Sequence, residues 1–281
     1  MTQDTAKVWL ITGASSGFGR ALAEAAVAAG DRVIGTARRP DGLADLVTAH
    51  PDQVEAVALD ITDGDCVDEV AADVLARHGR VDVLVNNAGR TQVGAFEETT
   101  ETELRDLFEL HVFGPARLTR ALLPHMRERR AGSIVNISSL GGQLSFAGFS
   151  AYSATKAALE QLSEGLADEV TPFGIRVLIV EPGAFRTNLF ARGAAYFSAE
   201  HPEYAETVGA TRAMVRDSAG SQPGDPAKAA AAIRLALAAE KPPLRLALGG
   251  DAVDALVGHL DAVRAEITEW EEVSRGTDID A

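Results

Sequence analysis

The chain has few cysteines, few aromatic residues and no long apolar run. Its 281 residues include a single cysteine, Cys66, so no disulfide can form within the chain, which suits a reducing compartment. No apolar run reaches the roughly 20 residues that a membrane-spanning helix needs. The N-terminus lacks a basic region followed by a hydrophobic segment, the signature of a secretory signal. We therefore expect a cytoplasmic protein that does not act at a membrane.

Basic residues are scarce relative to acidic ones. The chain has 26 Lys and Arg against 41 Asp and Glu, a formal net charge of −15. Repulsion by phosphates argues against a nucleic-acid binder. The six histidines show no close pairing, and without a cluster of Cys or His we expect no metal site. Much of the acidity lies near the C-terminus, where residues 270–281 are predicted to form an acidic tail.

Short β-branched runs alternate with Ala- and Leu-rich segments whose apolar residues recur every three or four positions. The candidate strands are Lys7–Thr12, Arg32–Thr36, Val54–Leu59, Val81–Asn86, Ser133–Ile137, Ile175–Val180 and Leu244–Leu248. Strands that alternate with helices imply right-handed crossovers and a parallel sheet. We predict an α/β, doubly wound, seven-stranded parallel sheet with helices on both faces, formed by residues 1–281 as one domain.

One segment, residues 184–225, departs from this alternation. It is rich in Gly, Pro and Ser, and a helix is expected near Ala205–Arg216. Its aromatic residues are Phe185, Phe190, Tyr196, Phe197 and Tyr204. Long insertions of this kind are commonly functional, so we predict a substrate loop that covers an apolar pocket; core filling is the alternative. Phe96, Phe146 and Phe149 are assigned to the same pocket.

A glycine-rich loop, "TGASSGFG", links the first strand to the first helix. Glycines let the backbone approach a pyrophosphate, and the helix N-terminus offers unpaired N–H groups. Between a strand and a helix this pattern indicates a dinucleotide site, although a tight turn alone would use similar residues. The candidate cofactor-binding residues of the loop are Gly13, Ser15, Ser16, Gly17, Phe18 and Gly19.

The second strand ends in "TARRP", where NAD-dependent folds usually carry an acid. Here Arg38 and Arg39 stand instead, and a guanidinium pairs well with a ribose 2′-phosphate. We therefore predict NADP(H), with NAD(H) less favoured; ordinary surface arginines are the alternative. Asp60, at the end of the third strand and followed by Ile61, is a candidate adenine contact, although acids here also serve as helix caps.

Tyr152 and Lys156 lie four residues apart in "YSATK", which places both side chains on one helical face. A phenol with a pKa of about 10 is a poor base at neutral pH. A nearby ammonium is expected to lower that pKa, which would suit the pair to proton transfer. In isolation such a pair is more often structural.

Five motifs occur together in one order: "TGASSGFG", "VNNAG" (Val85–Gly89), "NISS" (Asn136–Ser139), "YSATK" and "EPGAFRT" (Glu181–Thr187). They resemble the short-chain dehydrogenase/reductase family, in its single-domain, NADP-preferring branch, over about residues 5–190. The resemblance implies a Rossmann-type fold. It also implies an oxidoreductase that moves a hydride between NADP(H) and the carbonyl or secondary alcohol of a small molecule.

The resemblance also implies roles for individual residues. Tyr152 would be the general acid and base, Lys156 its partner and a ribose ligand, and Ser139 would polarise the carbonyl. The further cofactor contacts would be Asn87, Ala88, Gly89, Pro182, Gly183, Phe185 and Thr187. The family commonly pairs helices into homo-oligomers, here a dimer or tetramer.

His111 occupies the position where the family usually has an asparagine whose main-chain carbonyl holds a catalytic water. We hypothesise that His111 retains activity but alters the pH profile, by titrating near pH 6.5 or by changing the local helix. A tolerated substitution without effect is the alternative.

Two other functions remain open. A cofactor-sensing regulatory protein would bind NADP without turnover, although such relatives typically lose the tyrosine or lysine that remain here. An isomerase or dehydratase of the longer relatives would need a different glycine spacing and a larger C-terminal domain, and neither is present.

Overall fold

Seven parallel strands form the central sheet of the computed structural model, which describes residues 6–191, 194–218 and 220–279. They are β1 (Val8–Thr12), β2 (Arg32–Ala37), β3 (Val54–Ala58), β4 (Val83–Asn86), β6 (Gly132–Ile137), β7 (Ile175–Pro182) and β9 (Arg245–Leu248), while β5 (Gln92–Val93) and β8 (Tyr196–Phe197) form a separate two-stranded sheet. The large sheet has the order β3-β2-β1-β4-β6-β7-β9. The predicted seven-stranded parallel sheet is confirmed, and every predicted strand is present.

Helices cover both faces of this sheet. They are α1 (Gly17–Ala28), α2 (Ala44–Ala49), α3 (Gly64–His78), α4 (Glu101–Phe108), α5 (Gly114–Arg129), α6 (Ser150–Val170), α7 (Ala205–Asp217), α8 (Pro226–Ala238), α9 (Gly250–Glu269) and α10 (Glu271–Arg275). One core forms against α1 and α8, and the other against α3, α5 and α6. Alternate residues of β1 enter opposite cores, Trp9 one and Leu10 the other, because successive side chains of a strand point to opposite faces. This double burial explains why β1 is apolar throughout.

The strand order reverses between β1 and β4, at the centre of the sheet. Crossover helices leave from the two strands in opposite directions, so a crevice opens at their carboxyl ends, where open α/β sheets bind ligands. The loops that follow β1, β2, β4, β6 and β7 all meet at this edge.

The insertion, residues 184–225, is tied to the segment that follows β4. β8 pairs in parallel with β5 through Gln92↔Tyr196 and Val93↔Phe197, a two-residue pairing that periodicity could not reveal. Arg212 of α7 forms an ion pair with Glu98 at 2.6 Å, and both side chains are almost fully buried. The helix expected near Ala205–Arg216 is confirmed as α7.

From Asp261 onward the described C-terminal residues are exposed, and they are helical through the end of α9 and through α10. Asp280 and Ala281, the last residues of the predicted tail, lie outside the described residues. Across residues 6–191, 194–218 and 220–279, every helix is too short or too polar to cross a bilayer.

Candidate active site

A cavity of about 700 Å³ lies at the carboxyl edge of the sheet. It brings together Ser139, Tyr152, Lys156 and His111 with most of the residues expected to bind the cofactor. These cavity-lining residues are Gly13, Ser15, Ser16, Gly17, Phe18, Arg38, Asp60, Ile61, Asn87, Ala88, Gly89, Pro182, Gly183, Phe185 and Thr187. Residues distant in sequence therefore share one concave surface.

The glycine loop requires glycine at specific points. Gly13 and Gly17 have φ angles of +64° and +56°, which residues with a side chain rarely adopt. The Asn87 amide donates to the carbonyl oxygens of Thr12 (2.8 Å) and Gly13 (3.1 Å), so the loop after β4 braces the loop after β1. Gly19 is buried and does not line the cavity; a Cβ there would lie 2.5 Å from Asn87 Nδ2. Gly19 thus acts through close packing beneath the loop.

The two arginines after β2 differ in position. Arg38 lines the cavity, whereas Arg39 is exposed outside it. Burial of Asp60 opposes its ionisation, but hydrogen bonds from Thr62 and the charge of Arg38 hold its pKa below the ordinary value. Asp63 is a helix cap, since it accepts from the N–H groups at the start of α3. Of these groups, Arg38 and Asp60 are placed to contact a nucleotide.

Tyr152 and Lys156 lie one turn apart on the buried face of α6. Burial raises the pKa of Tyr152 to about 12, although its hydrogen bond with Ser139 acts in the opposite direction. The Lys156 ammonium donates to the carbonyl of Ile137 at 2.9 Å and lies 5.8 Å from the Tyr152 ring centroid. Burial lowers the pKa of Lys156 to about 8, partly offset by the negative charge of Glu160.

The expected fall in the pKa of Tyr152 is therefore not found in this arrangement, because burial has the larger effect. The ammonium is directed to Ile137, and removal of the phenol from water outweighs any stabilisation of the phenolate. Tyr152 consequently keeps its proton at neutral pH.

His111 lies in a π-helical turn, Glu109–Phe113, between α4 and α5. Its Nε2 accepts from the backbone N–H of Arg90 at 3.2 Å, so the ring proton is on Nδ1 and is donated to Thr155 Oγ1 at 2.8 Å. Burial, then the charges of Lys156 and Arg90, lower the pKa of His111 well below 6.5.

The hypothesis that His111 titrates near pH 6.5 is therefore wrong: the imidazole is neutral throughout the neutral range. The hypothesis also allowed that His111 changes the local helix, and the structure has a π-helical turn at this position. Turns of this type are frequent at functional sites. The ring stands edge-on to Tyr152 at 5.7 Å and helps to hold the phenol in place.

A buried pair of carboxyl groups, Glu160 and Glu181, lies behind the catalytic loop and was missed in the sequence. Ser138 Oγ donates to Glu160 at 2.5 Å, and Gln143 Nε2 donates to Glu181 at 2.6 Å. Burial, together with the neighbouring Glu181, raises the pKa of Glu160. The pair thus anchors both ends of the loop that carries Ser139. The available signal was an acid ending the otherwise apolar run "VLIVEP".

The aromatic residues assigned to the pocket divide into two groups. Phe185 and Phe190 line the cavity, together with Leu189 and Ala194 from the insertion. The remaining aromatic residues of the insertion, Tyr196, Phe197 and Tyr204, are not part of the cavity wall. Of these three, Phe197 packs against a core cluster, whereas Tyr196 is exposed, so the core-filling alternative applies to Phe197.

The assignment of Phe96, Phe146 and Phe149 to the pocket is wrong. Phe96 and Phe146 are exposed outside the cavity, 69% and 51% respectively. Phe149 is buried against the Tyr152 ring, with centroids 5.9 Å apart. The sequence shows that these rings are apolar but not which way they face.

Comparison with known proteins gives consistent results. The family model described as short chain dehydrogenase matches residues 7–195. The protein named Oxidoreductase BOA17, from Botryotinia fuckeliana, is 38% identical over 269 residues, covering 95% of this chain and 98% of its own. A solved short-chain dehydrogenase from Streptomyces avermitilis is 81% identical, covering 99% of this chain and 100% of its own, with a TM-score of 0.94. An alcohol dehydrogenase from the archaeon Thermococcus sibiricus, complexed with 5-hydroxy-NADP, is 26% identical and covers 86% of this chain and 95% of its own, with a TM-score of 0.70.

Proposed function

Because the chain belongs to the short-chain dehydrogenase family, and is thus an oxidoreductase with a nicotinamide cofactor, we propose that it reduces the carbonyl group of a small molecule with NADPH. The reverse reaction is oxidation of the secondary alcohol. The observation that carries the proposal is that Ser139, the buried Tyr152 and Lys156 line one cavity together with the glycine loop.

The residues of the cavity fit a nicotinamide dinucleotide. Gly13 and Gly17 adopt positive φ angles and carry no Cβ, so phosphates can approach the backbone there and the N-terminus of α1. When bound, the cofactor supplies the hydride for reduction or accepts it in oxidation. Phe185 and Thr187, which line the cavity beside the glycine loop, would hold the nicotinamide side.

Tyr152 would donate the proton that the carbonyl oxygen needs. A pKa of about 12 keeps the phenol protonated at neutral pH, which suits reduction. Ser139 would hold the same oxygen through its hydroxyl. The phenolate left on Tyr152 would be stabilised by the ammonium of Lys156, 5.8 Å from the ring centroid.

Arg38 supports the choice of NADP(H). Its guanidinium lines the cavity just after β2. At this point NAD-dependent folds usually carry an acid that binds the ribose 2′-hydroxyl, and this chain has no acid there. A hydrogen bond to a charged group is worth about 1.5–3 kcal/mol, or about 10- to 150-fold in affinity. The alcohol dehydrogenase from Thermococcus sibiricus, crystallised with 5-hydroxy-NADP, is in line with this choice. Assembly into a homo-oligomer and a cytoplasmic location stay predictions.

The test is the initial rate of NADPH and NADH oxidation with a panel of aryl and alkyl ketones. We expect the wild type to prefer NADPH and Tyr152→Phe to lose at least about 100-fold in kcat. Arg38→Gln should raise KM for NADPH by about 10- to 150-fold and leave NADH use unchanged. Arg39→Gln removes an adjacent, exposed charge outside the cavity and is the matched control.

Each part of the proposal can fail separately. Equal use of NADH by the wild type would refute the NADP preference but leave the carbonyl chemistry intact. Tight NADPH binding without turnover of any ketone would favour the cofactor-sensing protein instead. Full activity of Tyr152→Phe would remove the phenol from the mechanism.

A further inference from the structure

Arg90 is a cavity residue that the proposed chemistry does not use. It directly follows the Asn87–Gly89 loop, and its backbone N–H is fixed by the bond to His111 Nε2. Its guanidinium lies over the ring of Tyr196, 4.6 Å from the centroid. Tyr196 belongs to β8, whose pairing with β5 places the ring beside Arg90. The backbones of Arg90 and Tyr196 are thus both held in place, and the Tyr196 ring packs against one face of the guanidinium.

The guanidinium lacks an acceptor among the residues that the structure describes. Its Nε is buried and has no hydrogen-bond partner in that part of the chain. Within residues 6–191, 194–218 and 220–279, the acids that line the cavity, Asp60, Asp106 and Glu109, form no ion pair with it. A buried donor left unpaired is costly, whereas a hydrogen bond to an ionised acceptor is among the stronger ones in proteins.

The other cations of the cavity are engaged or lie elsewhere. Lys156 donates to Ile137, and Arg38 lies beyond β2 beside Asp60. Arg90, by contrast, lies on the His111 side of the catalytic residues, close enough for its charge to act on that imidazole. Among the described residues, Arg90 is therefore the cavity cation placed to meet an anionic group beside His111.

The chemistry that satisfies Arg90 is a planar oxyanion that accepts two N–H groups, which is the geometry of a carboxylate. We infer that Arg90 recognises a carboxylate on the substrate, so that the preferred substrates are keto acids rather than neutral ketones. This inference rests on the proposed carbonyl reduction. The apolar residues Leu189 and Phe190 of the cavity wall would contact the carbon skeleton between the two oxygen-bearing groups.

The experiment compares acids with their neutral esters. Benzoylformate, 3-acetylbenzoate and 4-acetylbenzoate, each against its methyl ester, place a carboxylate at three separations from the ketone. The wild type should show kcat/KM about 10- to 150-fold higher for at least one acid than for its ester. Arg90→Gln should abolish that ratio through KM, while leaving ester turnover and KM for NADPH unchanged. Arg90→Lys, which keeps the charge but not the planar fork, should fall between the two.

Arg105→Gln is the matched control, since it removes an exposed arginine of α4 that lies outside the cavity. An acid-to-ester ratio at or below one in the wild type, or a ratio unchanged in Arg90→Gln, would overturn the inference. Equal losses for acid and ester with a raised KM for NADPH would also overturn it, because Arg90 would then bind the cofactor.

Failure of the proposed function has a different signature, namely no turnover of any acid or ester. In that case calorimetry of the wild-type protein with NADP⁺ and the three acids decides the matter. Saturable binding that Arg90→Gln loses would support carboxylate recognition, and no binding would overturn it. A thermal melt of each variant identifies any loss of folding.

Discussion

Replacing Lys156 with methionine should stabilise the cofactor-free protein at neutral pH while removing its activity. Burial lowers the pKa of this ammonium from 10.5 to about 8. At about 1.36 kcal/mol per pKa unit, the buried charge costs about 3 kcal/mol of folding free energy. Methionine also loses the hydrogen bond from Nζ to the carbonyl of Ile137, a loss of about 1 kcal/mol. The expected net gain is about 2 kcal/mol.

The pH dependence of the unfolding free energy tests the sign of this burial penalty. Between the folded pKa of about 8 and the unfolded value of 10.5, the unfolded chain binds more protons at Lys156 than the folded protein does. The stability of the wild type should therefore rise with pH over this window, because the penalty is complete below the folded pKa and disappears above the unfolded one. The advantage of Lys156→Met should shrink over the same window and reverse near its upper end.

The assay is urea unfolding of the wild type, Lys156→Met and Lys228→Met at pH 7 and pH 10, at equal protein concentration. Lys228 is an exposed residue of α8, so its substitution should change stability by no more than about 0.5 kcal/mol at either pH. The reasoning is refuted if Lys156→Met is less stable than the wild type at pH 7. It is also refuted if the difference between the two is the same at both pH values.

Two further predictions concern the supports of the site. His111→Asn should leave the shape of the pH–rate curve unchanged between pH 6 and 8, because the pKa of His111 lies well below 6.5; loss of an inflection near neutrality would contradict this. Arg212→Met should reduce the unfolding free energy by about 3–5 kcal/mol, because it leaves Glu98 buried without its partner. In urea unfolding, the double variant Arg212→Met/Glu98→Gln should recover part of that loss. A loss below about 1 kcal/mol in Arg212→Met alone would show that the ion pair does not hold the insertion in place.

Local patterns were sufficient to predict the large elements and the juxtaposition of Tyr152 and Lys156. Strands such as β1 are buried on both faces, so they appear as continuous apolar runs, and the crossover helices show regular amphipathic spacing. Tyr152 and Lys156 were identifiable because their relation is a fixed spacing on one helix. The same is true of the glycine loop, whose left-handed backbone at Gly13 and Gly17 depends on residue type alone.

Contacts between segments that are distant in the sequence could not be predicted from local patterns. The two-residue pairing of β5 with β8 has no periodicity, and the Glu160–Glu181 pair joins α6 to β7. Phe96 and Phe146 were assigned to the pocket because they are apolar, yet the packing of the segments that carry them leaves them exposed.

The sequence by itself determined the fold class, the placement of Tyr152 and Lys156 on one helical face and the position of the glycine loop, because each depends on residue type and on spacing along the chain. The tertiary structure alone decided the protonation of those residues. Burial in the assembled core, a property of many segments together, keeps Tyr152 protonated, weakens the charge on Lys156 and holds His111 neutral. It also left Arg90 over Tyr196 with no acceptor among the described residues, since that arrangement exists only when the insertion folds back onto β5.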